Sequence, residues 1–180
     1  LNNVEEKEHQ SSGVLVADNG KELLIFADYT PIANAESMKV TFFNGISMEA
    51  DLKGIDITTN LAVLTVDLME LSNKMSIENL PIAKLGSSNT SFLTGSPVIA
   101  LGSPMGVSDS VGYGMVTALH NQKNIPDTNY QLLQTNIRGS QNAGGVLFNL
   151  NGEVVGIITN NKASLEMKDM IVAYGISSLK

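Results

Sequence analysis

The sequence predicts an all-β fold, arranged as barrels or as a sandwich. Three observations carry that expectation. About eleven short apolar runs recur along the chain with turn residues between them. Asn-Gly pairs sit between apolar runs at Asn19-Gly20, Asn44-Gly45 and Asn151-Gly152. Both residue types tolerate the positive φ that tight hairpins need. Little of the chain reads as helix.

The elements follow in order. Residues 1–10 are polar and read as a frayed lead-in to a domain over 11–180. Strands are expected near 12–17 and 23–28, on either side of Asp18-Asn19-Gly20. The next two, near 37–43 and 46–55, flank Asn44-Gly45, and a fifth covers 61–66. The stretch 67–95 differs. Asp67 to Leu80 is mixed, and small polar residues then cluster in Leu85-Gly86-Ser87-Ser88-Asn89. This stretch is expected to connect two β lobes. Six further strands are expected near 96–101, 111–119, 130–135, 145–149, 153–158 and 170–176.

Composition excludes several functions. The chain has 180 residues, 43 % of them apolar and 16 % charged, which is a globular balance. Eleven basic and eighteen acidic residues give a net charge of −7, which disfavours nucleic acid and anionic membranes as partners. No apolar run approaches the roughly 18 residues of a membrane-spanning helix. Without cysteine there are no disulfides, thiol nucleophiles or thiolate metal sites. With two histidines as well, neither metal nor cofactor is expected. The chain lacks an initiating Met and a signal-peptide pattern, so a fragment of a longer protein is expected.

Three segments narrow the reading. The first is Gln141-Asn142-Ala143-Gly144-Gly145-Val146-Leu147, preceded by Leu133-Gln134-Thr135-Asn136 and followed by Asn151-Gly152-Glu153-Val154-Val155-Gly156-Ile157. The second is Asn60-Leu61-Ala62-Val63-Leu64. The third is Pro97-Val98-Ile99-Ala100-Leu101-Gly102-Ser103-Pro104-Met105-Gly106, with Gly114-Met115-Val116-Thr117-Ala118 beyond it. In this order they resemble the trypsin-like serine proteases of the HtrA/Deg type. That family carries Gly-Asn-Ser-Gly-Gly-Pro-Leu, Asp-Leu-Ala-Val-Leu and Val-x-Ala-x-Gly-x-Pro-x-Gly at the corresponding places. The resemblance covers roughly residues 11–178. It implies two six-stranded antiparallel β-barrels, the N-terminal over about 11–70 and the C-terminal over about 96–180, with a connector over about 67–95. The family's PDZ module has no room within these residues.

The family cleaves amides with a serine nucleophile, a histidine that shuttles its proton and an aspartate that orients the histidine. Carried over by motif, the serine position holds Ala143, the histidine position Asp28 and the aspartate position Asn60. A methyl group cannot form an acyl-enzyme. A carboxylate with an ordinary pKa of ~3.9 is a weak base for a hydroxyl. A neutral amide cannot stabilise an imidazolium. The glycine of the oxyanion hole is replaced by Gln141, whose side chain restricts the backbone there. Neither histidine rescues the triad: His9 lies in the lead-in, and His120 follows a strand. A dyad of carboxylates would need a second acid beside Asp28, and nothing in the strand pattern brings Asp51 or Asp56 there. A hydrogen bond between Asp28 and Asn60 would satisfy the carboxylate instead.

The expected function is therefore that of a pseudoprotease, a trypsin-like domain that binds polypeptide or another protein domain and does not cut. The resemblance places its cleft between the loop Ile137, Arg138, Gly139, Ser140, Gln141, Asn142 and the stretch Gly156, Ile157, Ile158, Thr159, Asn160. Strand edges there can accept an extended peptide by backbone pairing. The alternative is a hydrolase of the same fold working through other residues. Trimers of the family that this chain resembles use an apolar N-terminal segment; here that region is polar, so a monomer is expected. The resemblance also implies a location outside the bacterial cytoplasm.

Overall fold

The computed structural model describes residues 8–78, 80–87, 94–104, 107, 109–125, 128–140, 144–159 and 170–178. Among the described residues the regular secondary structure is almost entirely β, as expected. In the C-terminal half, β8 (Pro97–Ser103), β9 (Ser110–Ile125), β10 (Thr128–Arg138), β11 (Gly144–Phe148), β12 (Glu153–Ile158) and β13 (Met170–Gly175) pair in the order β11-β8-β9-β10-β13-β12. β11 also pairs with β12, which closes a six-stranded antiparallel barrel. Closure removes the free strand edges that an open sheet would present.

Alternation fills that barrel. Val98 and Ala100 of β8, Val116 of β9, Leu133 of β10 and Leu147 of β11 point inward and are fully buried. Fully burying one such side chain stabilises the fold by about 1.5–3 kcal/mol.

The N-terminal half contains β1 (Gly13–Asp18), β2 (Glu22–Asp28), β5 (Asp51–Asp56) and β6 (Leu61–Asp67), paired in the order β1-β2-β6-β5. A separate hairpin, β3 (Lys39–Thr41) and β4 (Ser47–Glu49), packs Met48 against the same core as Leu23, Ile25, Leu64 and Val66. Its turn uses Asn44-Gly45. Gly45 has φ +83°, and its N–H reaches Phe42 O at 2.8 Å. Asn44 Oδ1 accepts from Ile46 N–H at 3.1 Å, so the side chain closes the turn.

The single strand expected over 46–55 is two. Ala50 is buried between β4 and β5; its N–H bonds to Met38 O at 3.0 Å, in register with the β3–β4 pairing, and from Asp51 the chain pairs with β6 instead. The stretch expected as connector holds a short helix, α1 (Leu68–Ser72), and a two-residue strand, β7 (Lys84–Leu85). Asp67 caps α1 by accepting Glu70 N–H at 2.8 Å. β7 lies parallel to the start of β12. β9 and β10 run well beyond 119 and start before 130, because they continue as a polar hairpin with no apolar alternation to announce it.

A third apolar cluster joins the halves. Leu61 of β6 packs with Val146, Val154, Ile157 and Ile176, and Val14 and Phe26 lie against them. It fixes how β1 and β2 face β11 and β12.

Candidate functional site

β2 ends at Asp28, which pairs in register with Leu61, the first residue of β6. The chain enters β6 through Asn60, which has φ +58°. Asparagine is among the few side chains that tolerate this left-handed region. That turn aims the Asn60 carbonyl at Tyr29 N–H, 2.9 Å away, and so fixes the start of β6 against the end of β2.

The same turn brings the two side chains together. Asn60 Nδ2 donates to Asp28 Oδ1 at 2.5 Å. Asn60 Oδ1 accepts from Thr30 Oγ1 at 3.0 Å. The amide has one donor face and one acceptor face, and these two bonds fix which way each points. Asn60 is 9 % exposed and Asp28 is half-buried. This is the hydrogen bond that the sequence allowed for. A carboxylate that accepts from an amide is an oriented anion.

Beside Asp28 lies a pocket of about 210 Å³ between the halves. β1 and β2 supply Val14 and Phe26 to its wall, and β11 and β12 supply Val146, Phe148, Ile157 and Ile158. Gly102 of β8 and Gly145 of β11 also line it. These two glycines lie back to back. A Cβ on Gly145 would stand 2.1 Å from Leu101 O, and one on Gly102 would stand 2.9 Å from the Gly145 Cα. Glycine at both positions lets β8 and β11 approach closely under the pocket floor.

The other residues singled out in the sequence fall in several places. Gln141, Asn142, Ala143 and Asn160 lie outside the described residues. Ile137 packs into the barrel core, and Gly156 is buried against Ala173 and Leu133. Arg138 and Ser140 are exposed, and Ser140 N–H bonds to Pro104 O at 3.3 Å. Gly139 sits tight against Ile171. Ile157 and Ile158 are the two that share the pocket with Asp28.

Asp56 is occupied elsewhere. It accepts from Tyr130 Oη at 2.8 Å and from the N–H groups of Thr58 and Thr59. Burial pushes its carboxyl up, but the bond from Tyr130 and then those from Thr58 and Thr59 outweigh it, so its pKa is lowered overall. Tyr174 Oη donates to Thr58 O at 3.3 Å, and its ring meets Tyr130 edge-on with centroids 5.6 Å apart. Burial, then the charge of Asp56, pushes the Tyr174 phenol up to about 12. Thr159 Oγ1 donates to Thr59 O at 2.5 Å. These ties between the halves join residues 74, 116 and 100 positions apart, and no local pattern announces them.

A family model described as a trypsin-like peptidase domain matches residues 11–157. The chain is 34 % identical over 155 residues to a protein of Halomonas elongata named "Probable periplasmic serine endoprotease DegP-like", covering 85 % of this chain and 30 % of that protein. It is 34 % identical over 152 residues to serine protease HTRA1A of Danio rerio, covering 82 % and 29 %. Among solved structures it is similar to an HtrA-type protease, AlgW, with decapeptide. The TM-score is 0.69 at 27 % identity, covering 93 % of this chain and 48 % of that one. The chain spans about a third of the length of the curated relatives it matches.

Proposed function

The chain belongs to the trypsin-like peptidase family, with HtrA/DegP-type proteases among its relatives, and from that premise we propose that it is a member that holds polypeptide without cutting it. One observation carries the reading. Where the family resemblance calls for histidine and aspartate, Asp28 and Asn60 stand hydrogen-bonded to each other. The proton shuttle between nucleophile and leaving group needs a group that is basic near neutral pH. An Asp–Asn pair offers none, and Ala143 at the serine position offers no nucleophile. The degenerate triad is thus Asp28, Asn60 and Ala143, with Gln141 at the oxyanion position. The polypeptide cleft runs from Ile137–Asn142 to Gly156–Asn160. Of these residues Ile157 and Ile158 line the pocket between the halves, and a solved relative is described with a decapeptide.

The sheet and hairpin packed around Leu23 and Met48 support a second, N-terminal barrel over about 11–70, joined through 67–95 to the barrel over 96–180. The domain acts as a monomer. Relatives named as periplasmic support a place outside the cytoplasm.

The test is proteolysis of reduced β-casein together with labelling by a fluorophosphonate probe. The native chain is expected to be silent in both. A variant carrying Asp28→His, Asn60→Asp and Ala143→Ser is expected to label. Cleavage by the native chain that survives repurification and is lost in Asp28→Asn overturns the reading in favour of a hydrolase using other residues.

A further inference from the structure

An asparagine followed by glycine can modify itself. The glycine N–H loses its proton and the nitrogen attacks the asparagine Cγ. Ammonia leaves with that proton, and a succinimide ring remains. Water then opens the ring. Opening at the backbone carbonyl gives isoaspartate, in which the main chain runs through Cβ and Cγ; opening at Cγ gives aspartate. Glycine favours the attack because it has no Cβ to crowd it. The asparagine amide must also be free to swing towards the next nitrogen.

The chain has three such pairs, and their hydrogen bonds separate them. Asn19 Oδ1 accepts from the N–H groups of Lys21 at 3.0 Å and Glu22 at 2.8 Å, and its Nδ2 donates to Glu22 Oε2 at 3.1 Å. Asn44 Oδ1 accepts from Ile46 N–H at 3.1 Å, and its Nδ2 donates to Met75 Sδ at 3.5 Å. Both amides are tied at both ends. Asn151 differs. It and Gly152 are exposed, and among the described residues its amide has no hydrogen-bond partner. Its neighbour Asn149 organises the turn instead, through Oδ1, which accepts from Asn151 N–H at 3.0 Å and Glu153 N–H at 2.9 Å. The attacking nitrogen is also the most loosely held of the three. Gly152 N–H reaches Asn149 O at 3.1 Å, against 2.6 Å from Gly20 to Asp18 Oδ1 and 2.8 Å from Gly45 to Phe42 O.

This turn joins β11 to β12, and both strands line the pocket between the halves. Isoaspartate adds one carbon to the main chain inside a turn already closed by the Asn149 N–H bond to Glu153 O at 3.0 Å. We propose that Asn151 is a self-modification site: its conversion to isoaspartate loosens the hairpin that carries two walls of the pocket, while Asn19 and Asn44 are protected by their own hydrogen bonds. The site is independent of whether the pocket holds polypeptide.

The test ages the whole chain in mildly alkaline buffer, folded and, in parallel, in urea. Peptide mapping by mass spectrometry that tells isoaspartate from aspartate follows the three sites. In urea they are expected to react at comparable rates. In the folded chain Asn151 should react at least about tenfold faster than Asn19 or Asn44, since each bond that must first open slows the reaction several-fold. Similar rates at the three folded sites, or a faster reaction at Asn19 or Asn44, overturn the proposal. Melting temperatures read the consequence. Aged protein should melt below fresh protein. Asn151→Asp adds the charge without lengthening the main chain and should melt like fresh protein. Asn151→Ser cannot form the ring and should keep its melting temperature through ageing. Aged native protein that melts like fresh protein overturns the loosening, and so does an equal loss on ageing in Asn151→Ser.

Discussion

Tyr130 reaches across the two halves to give its phenol proton to Asp56, and the pH dependence of that contact can be worked out. The folded pKa of Asp56 lies below its ordinary value of 3.8. Its contribution to stability is therefore present above about pH 4 and is lost as pH falls through the lowered folded value. Tyr130→Phe removes a hydrogen bond to a charged group and should cost about 1–2 kcal/mol at neutral pH. At about pH 2.5, below the ordinary value of 3.8, that cost should be smaller, because the unfolded chain then takes up the proton at Asp56 and the advantage of the bonded carboxylate falls. Urea melts of both proteins at the two pH values measure it; an equal cost at both would show that charge plays no part. Tyr174 runs the other way. Its phenol is raised to about 12, so its contribution is full below about pH 10 and is lost as pH rises through 12. Absorbance titration near 295 nm should show a late phenolate step that Tyr174→Phe removes. Neither contact was legible in the sequence, because hydrogen-bond partners far apart in the chain leave no local pattern. The hydrogen bond between Asp28 and Asn60 was legible, since Asp28 ends β2, Asn60 leads into β6, and both strands resemble a known motif.

Among the elements, the pairing of β8 with β11 depends most sharply on single residues. Gly145 has φ +126°, and a Cβ there would stand 2.1 Å from the Leu101 carbonyl oxygen. Neither backbone can move without breaking barrel closure. Gly145→Ala should therefore cost more than about 3 kcal/mol, through combined strain and overlap, or abolish folding. Gly54 of β5 provides the contrast, with ordinary φ and nothing within 4 Å of the place a Cβ would take. Gly54→Ala should be neutral or should stabilise by about 0.5 kcal/mol. Thermal melts of the two variants test the pair, and similar losses from both would overturn the argument. Most strand positions were readable, because alternation and Asn-Gly turns are local signals. The break at Ala50 was not, since it is where the chain passes from pairing with β3 to pairing with β6, and pairing partners leave no local pattern. Nor was the hairpin extending β9 and β10, whose polar residues carry no alternation.

At the scale of the whole molecule, the question is whether the halves unfold together. Their contact contains an apolar cluster centred on Leu61, Val146, Val154 and Ile157, all at most 8 % exposed. Thr159 adds a hydrogen bond to the Thr59 carbonyl, and Tyr130 adds one to Asp56. Separating the halves would expose this cluster to water and leave buried polar groups without partners. Each costs free energy on the scale of total stability. The native domain should therefore unfold in one calorimetric transition whose van't Hoff and calorimetric enthalpies agree. Leu61→Ala and Ile157→Ala remove apolar volume from opposite sides of the cluster, and each should cost about 2–4 kcal/mol. Because the two side chains belong to one cluster, their combined cost should differ from the sum of the single costs. The double variant weakens the contact while leaving the separate cores around Leu23 and Leu133 untouched. It should be the one in which a second transition emerges. Two transitions in the native domain would mean that the interface couples the halves too weakly to hold the pocket beside Asp28 in shape.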